Sequence, residues 1–262
     1  MTMAYRMTRT LPHDRVAIIM PVDHGLIFDR LPGLENPAAV IEEFGDDDIT
    51  GFMMSPGLVV RTEQYFAARP HLSRVLAIDA FYHYTEAGAG AGALQHSVED
   101  AVRLGVDCVK MLMPWNTTKT EQAALVTRVG NVISECERWQ IPLMLEPVLI
   151  GAPRTPEVIA EEEKVARIAF DLGAHIIKIA FPGEEGTRRL VEDLGLPIVI
   201  AGGPRSGDPQ QTIESVRQSV VAGARGIIVG RNVWQRERAE AHAVVDQLAA
   251  LSRGGERALQ NA

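Results

Sequence analysis

The feature that most constrains the fold is a set of eight short apolar runs, rich in Val and Ile, that start every 20 to 35 residues or so. They read VAIIMPVDHG, ITGFMMSPG, RVLAIDAFYHY, CVKMLMPWN, IPLMLEPV, HIIKIAFPG, LPIVIAGGP and GIIVGRNVW. Most of the gaps between them can hold an amphipathic helix, which is the pattern of βαβ units around a parallel sheet. Eight such units predict an α/β fold, a single (β/α)8 TIM barrel spanning residues 1–262 with short flexible tails. A doubly wound open sheet is the alternative, but no Gly-x-Gly-x-x-Gly follows the first run.

Two gaps show the helical pattern clearly. In residues 116–140 the apolar side chains recur at helical spacing, and in the next gap Thr155 and Pro156 form an N-cap and first helical position before Gly173 ends the helix. The second gap has room only for a short helix at residues 61–68. Residues 87–97 read as a flexible connection to a helix at residues 98–104.

Composition excludes several partners. The formal charge is −8 and no Lys/Arg-rich segment is present, which argues against nucleic acid and anionic membranes as ligands. The N-terminus lacks a signal-peptide core, and no segment approaches the roughly 20 apolar residues of a membrane span. We therefore expect a cytoplasmic protein in which Cys108 and Cys136 are reduced core residues.

Ionisable residues stand at the ends of several runs, where a barrel of this kind carries its catalytic groups. They are Asp23 in the first run, Lys110 in the fourth, Glu146 in the fifth and Lys178 in the sixth. Because neighbouring parallel strands lie about 4.8 Å apart, Glu146 is predicted to be flanked by both lysines. Any one of these charges can instead point into solvent or form a surface ion pair. Their recurrence at equivalent positions favours one shared site.

A lysine within an apolar pocket, beside a second cation, becomes a nucleophile towards carbonyls and forms a Schiff base. Lys119 and Lys164, the other two of the four lysines, lie at predicted solvent-facing positions. The seven histidines show no close pairing at metal-ligand spacing, so we expect no metal and no other cofactor. His24 is expected to orient Asp23 or to bind substrate.

Glycines at the ends of the last two strands indicate an anion site. Gly202 and Gly203 end the seventh run, and Gly230 and Arg231 end the eighth before a short helix. Loops seven and eight are the usual phosphate site of this fold, and glycine lets backbone N–H groups approach an anion. Ser206 and Arg205 are lesser candidates. Tyr82, His83 and Tyr84, after the third strand, either contact the rest of the substrate or pack at the rim.

PVDHG, GLENP, the run around Lys178, AGGPRSG and VGRNVW together resemble the class I aldolases of the archaeal fructose-bisphosphate aldolase type. The resemblance implies a metal-free (β/α)8 barrel, a Schiff-base lysine at Lys178, a strand-one aspartate at Asp23, and phosphate loops at Gly202, Gly203, Gly230 and Arg231. The fructose-bisphosphate branch has a proton-donating tyrosine in a Tyr-Pro-Arg-Gly-like motif, whereas this chain reads LMLEPVLIGAPR. Glu146-Pro147 with Lys110 looks more like the tagatose-bisphosphate and sulfofructose-phosphate aldolases.

The expected function is reversible cleavage of a phosphorylated ketose to dihydroxyacetone phosphate, or a related ketone, and an aldehyde. The expected partner is therefore a small phosphorylated sugar, and the family resemblance implies a homo-oligomer, with a helix at residues 236–251 as a possible contact. Three alternatives stay open. These are acyl or aldol transfer by a thiolase-like or amino-sugar precursor synthase, a metal-free sugar-phosphate isomerase or epimerase, and a non-catalytic sugar-phosphate sensor.

Overall fold

Eight parallel strands close into a barrel, and their order around the axis follows the order of the chain. The computed structural model describes residues 1–28, 30–80 and 93–254. The strands are β1 Ala17–Pro21, β2 Gly51–Met54, β3 Ser73–Ala77, β4 Cys108–Pro114, β5 Leu143–Val148, β6 Ile176–Ala180, β7 Ile198–Ala201 and β8 Gly226–Ile228. Helices connect the strands, so the predicted (β/α)8 architecture is confirmed.

The helices of the described residues are numbered in chain order. They are α1 Met3–Thr10, α2 Gly25–Phe28, α3 Pro37–Phe44, α4 Pro56–Arg61, α5 Glu63–Ala67, α6 Val98–Arg103, α7 Lys119–Trp139, α8 Pro156–Leu172, α9 Glu184–Leu194, α10 Pro209–Val221, α11 Arg231–Trp234 and α12 Arg238–Gly254. The single short helix predicted at residues 61–68 is in fact two, because Pro56 starts a helix earlier and Thr62 ends it. The last helix also begins and ends later than residues 236–251.

Local sequence explains where the long helices begin and end. Thr118 and Glu121 form a reciprocal capping box at the start of α7. At α8 the side chain of Thr155 accepts the Val158 N–H, and Gly173 closes the helix with φ +100°. That backbone conformation strains any residue with a Cβ, so glycine is the natural stop.

The barrel interior and the layer between strands and helices are packed separately. Inward side chains, among them Cys108, Met144 and Ile176, form one buried cluster inside the barrel. Met7 and Leu11, on and just after α1, pack against this cluster. Helix α1 was not predicted from the sequence, because a short N-terminal helix is stabilised by this tertiary contact rather than by its own propensity.

After β3 the chain leaves the barrel. Residues Asp79–Ala80 pair antiparallel with Ala93–Leu94 in a two-stranded ribbon. Tyr82, His83 and Tyr84, and residues 87–92 of the predicted flexible connection, lie outside the described residues. Throughout the described ranges, no helix has the length and apolar character needed to cross a bilayer.

Candidate active site

Strand alternation turns three charged side chains into the mouth of the barrel. Lys178 follows the inward Ile176 by two residues on β6, and Lys110 follows the inward Cys108 on β4. Glu146 on β5 follows the inward Met144 in the same way. The two-residue period of a strand therefore fixes the direction of all three side chains.

These three side chains form one ion cluster. The Nζ of Lys110 lies 2.9 Å from Oε2 of Glu146, and the Nζ of Lys178 lies 3.0 Å from the same oxygen. Both lysines are buried, with 2% of Lys110 and 8% of Lys178 exposed. Two ammonium groups thus share one carboxylate in a place that water scarcely reaches.

The two lysines differ in how easily each loses its proton. Burial lowers the pKa of Lys178, Glu146 opposes this, and the positive charge of Lys110 adds to the lowering. For Lys110 the effect of burial is outweighed by Glu146, Asp79 and Asp23, which together raise its pKa. Lys178 therefore loses its proton more easily than Lys110 does.

Glu146 stays ionised between the two amines. Burial acts to raise its pKa, but Lys110 and Lys178 lower it to about 2. An ionised carboxylate that touches the amine of Lys178 can accept a proton from it or from a group bound to it.

Asp23 and His24 follow β1 and line the same cavity. The Nδ1 of His24 lies 3.7 Å from Oδ1 of Asp23, which is too long for a hydrogen bond. Burial lowers the pKa of His24 to about 4; Asp23 opposes the shift, whereas the nearby cations, led by Arg231, add to it. The ring packs edge-on against Trp234 and is stacked near Phe28. His24 is thus an uncharged imidazole at neutral pH.

Four of the predicted anion-binding residues also line this cavity, which has a volume of about 110 Å³. Gly202, Gly203, Gly230 and Arg231 line it together with the ion cluster. The N–H of Gly202 is already donated to the carbonyl oxygen of Ile228, at 2.8 Å, so it is not available to a ligand. Gly203 has φ +70°.

Gly230 is required by close packing. A Cβ at this position would lie 2.8 Å from the carbonyl oxygen of Pro21 and 2.8 Å from Nε1 of Trp234. Trp234 also donates a hydrogen bond to that oxygen, at 3.2 Å. The guanidinium of Arg231 lies 5.4 Å from the centre of the Phe28 ring. The β8 loop is therefore held against the end of β1.

Ser206, in contrast, does not line this cavity. Its N–H donates to Oδ1 of Asn232 at 2.8 Å, and its hydroxyl bonds the carbonyl oxygen of Asp208 at 2.7 Å. The same Asn232 donates to the carbonyl oxygens of Gly202 and Pro204, both at 2.8 Å. Ser206 therefore belongs to a hydrogen-bond network that joins the loops after β7 and β8, and it is not part of the cavity wall.

Sequence reasoning missed Asn232, Trp234, Phe28 and Asp79. Asn232 stands between Arg231 and Val233 in the run VGRNVW and carried no distinguishing sequence signal, and neither did Trp234 or Phe28. Among residues 1–28, 30–80 and 93–254 no group of three or more His, Cys, Asp or Glu is arranged to hold a metal ion.

Residues 17–236 match a family described as DeoC/LacD family aldolase. An uncharacterized aldolase of Saccharolobus solfataricus is 27% identical over 88% of each chain. The 2-amino-3,7-dideoxy-D-threo-hept-6-ulosonate synthase of Halobacterium salinarum is 27% identical over 95% of each chain. Among solved structures, a Schiff base forming fructose-1,6-bisphosphate aldolase superposes with a TM-score of 0.79 at 25% identity, covering 96% of this chain and 100% of its own.

Proposed function

Because the chain belongs to the DeoC/LacD family of aldolases, we propose that it is a class I aldolase that reversibly cleaves a phosphorylated ketose through a Schiff base on Lys178. The observation that carries this proposal is the difference between the two buried lysines. Lys178 has a lowered pKa and Lys110 a raised one, although both amines contact the same carboxylate oxygen. This arrangement supplies one nucleophile and one fixed positive charge.

In the first steps the neutral amine of Lys178 attacks the C2 ketone of the substrate. The resulting carbinolamine loses water and becomes an iminium ion. Glu146, 3.0 Å from the Lys178 nitrogen, takes up and returns the protons of these steps. Lys110 keeps that carboxylate in place.

The iminium then acts as an electron sink. A base removes the proton of the C4 hydroxyl, the bond between C3 and C4 breaks, and its electron pair forms an enamine while the aldehyde leaves. Glu146 is the base, with Asp23 as the second carboxylate of the cavity. Protonation of the enamine at C3 and attack of water on the iminium release dihydroxyacetone phosphate or a related ketone and restore the amine.

The phosphate of the substrate binds at the loops after β7 and β8. Gly203, Gly230 and Arg231 line the same cavity as Lys178, so an anion held by them would fix the substrate in the cavity that contains the amine. Binding energy from this non-reacting group positions the ketone against the amine. Gly202 supports the loop through its pairing with Ile228 rather than by donating to the phosphate.

His24 contributes an uncharged nitrogen to the cavity. Since its pKa is lowered to about 4, it hydrogen-bonds a substrate hydroxyl without adding charge beside the two lysines. Of the two expected roles of His24, contact with substrate is favoured over orienting Asp23, because the 3.7 Å between His24 and Asp23 is too long for a hydrogen bond.

Borohydride trapping tests the proposal. Incubation with a panel of ketose phosphates and borohydride should leave a stable mass adduct on the peptide that contains Lys178. Lys178→Ala should abolish both the adduct and turnover. Lys164→Ala is the matched control, since Lys164 is exposed and pairs only with Glu161 in the described structure. Full activity of Lys178→Ala, or an adduct on another lysine alone, would refute the assignment.

Aldol transfer is the second candidate. It is favoured by the synthase of Halobacterium salinarum, whose similarity spans 95% of each chain. Product analysis distinguishes the two functions, because cleavage releases a free aldehyde from one substrate, whereas transfer needs an added acceptor. A metal-free isomerase would interconvert the sugars without any trapped adduct.

A further inference from the structure

A buried carboxylate, Asp79, joins β3 to β4 at the level of the ion cluster. At Ile78 the chain is still paired with β4, because its N–H donates to the carbonyl oxygen of Lys110 at 3.1 Å. The carbonyl oxygen of Ile78, however, accepts from the N–H of Gln95 in the ribbon, at 2.7 Å. Further along β4, the N–H of Leu112 donates to Oδ2 of Asp79 at 2.6 Å instead of to a backbone carbonyl.

This hydrogen bond fixes the part of β4 that bears the site. Leu112 is paired in register with Glu146 and lines the cavity. Lys110 lies two residues earlier on the same face of the strand. Asp79 therefore holds the backbone from which the Lys110 side chain reaches Glu146.

The hydrogen bond alone does not account for a carboxylate at this position. Asp79 is 5% exposed, and its Oδ1 has no hydrogen-bond partner among the residues that the structure describes. Burial raises its pKa to about 6, against the opposing effect of Lys110. Since the folded-state pKa is raised, ionisation of Asp79 lowers the stability of the fold as the pH rises from its ordinary value of 3.8 to about 6. Asparagine would accept the Leu112 N–H without this penalty.

The charged groups of the surrounding elements indicate what the carboxylate does. They are Lys110 on β4, Glu146 on β5 and Asp23 after β1; the titratable His96 lies beside Ile78 on the ribbon side. Lys110 is the only cation among them, and the negative charge of Asp79 raises its pKa. The Lys110 ammonium therefore contacts Glu146 directly, at 2.9 Å, and interacts with the charges of Asp79 and Asp23 at longer range.

We propose that Asp79 is a positioning residue that acts through Lys110: its carboxylate fixes β4 at Leu112 and adds, to the charges of Glu146 and Asp23, a further negative charge that keeps the Lys110 ammonium protonated and in place against Glu146. Only the catalytic consequence of this inference rests on the proposed function. Without Asp79 the ammonium is less firmly held, so Glu146 is less well placed to exchange protons at Lys178.

Asp79→Asn is the informative variant, because its amide oxygen still accepts the Leu112 N–H. Asp107→Asn is the control for loss of a buried carboxylate away from Lys110: Oδ2 of Asp107 accepts the Arg74 N–H at 2.9 Å just before β4 begins, and its charge pairs with Arg9, also at 2.9 Å. With ¹⁵N-labelled lysine, an ammonium-selective NMR spectrum contains at most four side-chain signals, one for each lysine. Lys110→Arg identifies the Lys110 signal.

We expect the Lys110 ammonium to exchange its protons with water at least tenfold faster in Asp79→Asn than in the wild type or in Asp107→Asn. With a substrate that gives the borohydride adduct, kcat should fall at least tenfold while KM changes by less than threefold. Thermal stability at pH 8 should not decrease. Unchanged Lys110 exchange together with unchanged kcat would overturn the inference.

The two proposals fail in different ways. If the wild type forms no adduct with any ketose phosphate, the proposed function fails, whereas the exchange measurement still tests the link between Asp79 and Lys110. If the adduct forms and Asp79→Asn keeps wild-type exchange and turnover, only the role of Asp79 is refuted.

Discussion

Replacing Lys110 with methionine tests whether a neighbouring positive charge prepares Lys178 for catalysis. Methionine has a similar length and fits a buried position without a charge. The two lysine nitrogens lie 2.9 and 3.0 Å from the same oxygen of Glu146, so they are at most about 6 Å apart. At an effective dielectric constant of about 20, two unit charges at that distance repel by about 3 kcal/mol.

Loss of this repulsion should make Lys178 harder to deprotonate. At a pH below the pKa of Lys178, about 3 kcal/mol corresponds to a roughly hundredfold smaller fraction of neutral amine. The change also leaves Glu146 to pair with Lys178 alone, which acts in the same direction. The pKa of Lys178 should therefore rise in Lys110→Met, and activity at neutral pH should fall by about a hundredfold and recover as the pH increases.

The assay is a pH titration, without substrate, of the NMR signals of lysine labelled with ¹³C at Cε. The midpoint of each titration curve gives the pKa of that lysine. Since the chain has four lysines, the spectrum holds four resonances, and Lys178→Arg identifies the one that matters. Lys164→Met, a change at an exposed lysine on α8, is the control and should leave the Lys178 midpoint unchanged. A Lys178 midpoint in Lys110→Met that equals the wild-type value, or lies below it, would refute the electrostatic reasoning.

The remaining predictions concern the base and the β8 loop. Glu146→Gln should still give the borohydride adduct but turn over about 10²- to 10⁴-fold more slowly, and normal turnover in a steady-state assay would exclude its acid–base role. Gly230→Ala should lower the free energy of unfolding by about 1–3 kcal/mol in a denaturant titration, because its Cβ would meet Pro21 and Trp234 at 2.8 Å. Gly130→Ala within α7, where a Cβ meets nothing within 4 Å, is the control and should instead be neutral or stabilising.

Most of the fold could be predicted because apolar residues that repeat at strand or helix spacing specify its elements locally. The eight apolar runs became the eight barrel strands, and Thr155, Pro156 and Gly173 begin and end α8 where the sequence placed them. Helix α1 and the division at Thr62 could not be predicted in this way. Short helices depend on what they pack against, and a sequence window does not contain that partner.

The direction of the charged side chains could also be predicted from the local sequence. A two-residue strand period sends Lys110, Glu146 and Lys178 to the inside once Cys108 and Ile176 are buried there. The sequence therefore determined that two amines and a carboxylate would share the barrel mouth.

The different charge environments of the two amines, and the polar groups that are already hydrogen-bonded, become visible only in the folded barrel. Lys110 is surrounded by Glu146, Asp79 and Asp23 from three different strand ends, whereas Lys178 is next to Lys110. Likewise Ser206 was a candidate ligand residue in the sequence, but Asn232, far along the chain, engages it in another network. Charge states and hydrogen-bond partners depend on distances between residues remote in sequence, and those distances exist only once the barrel has closed.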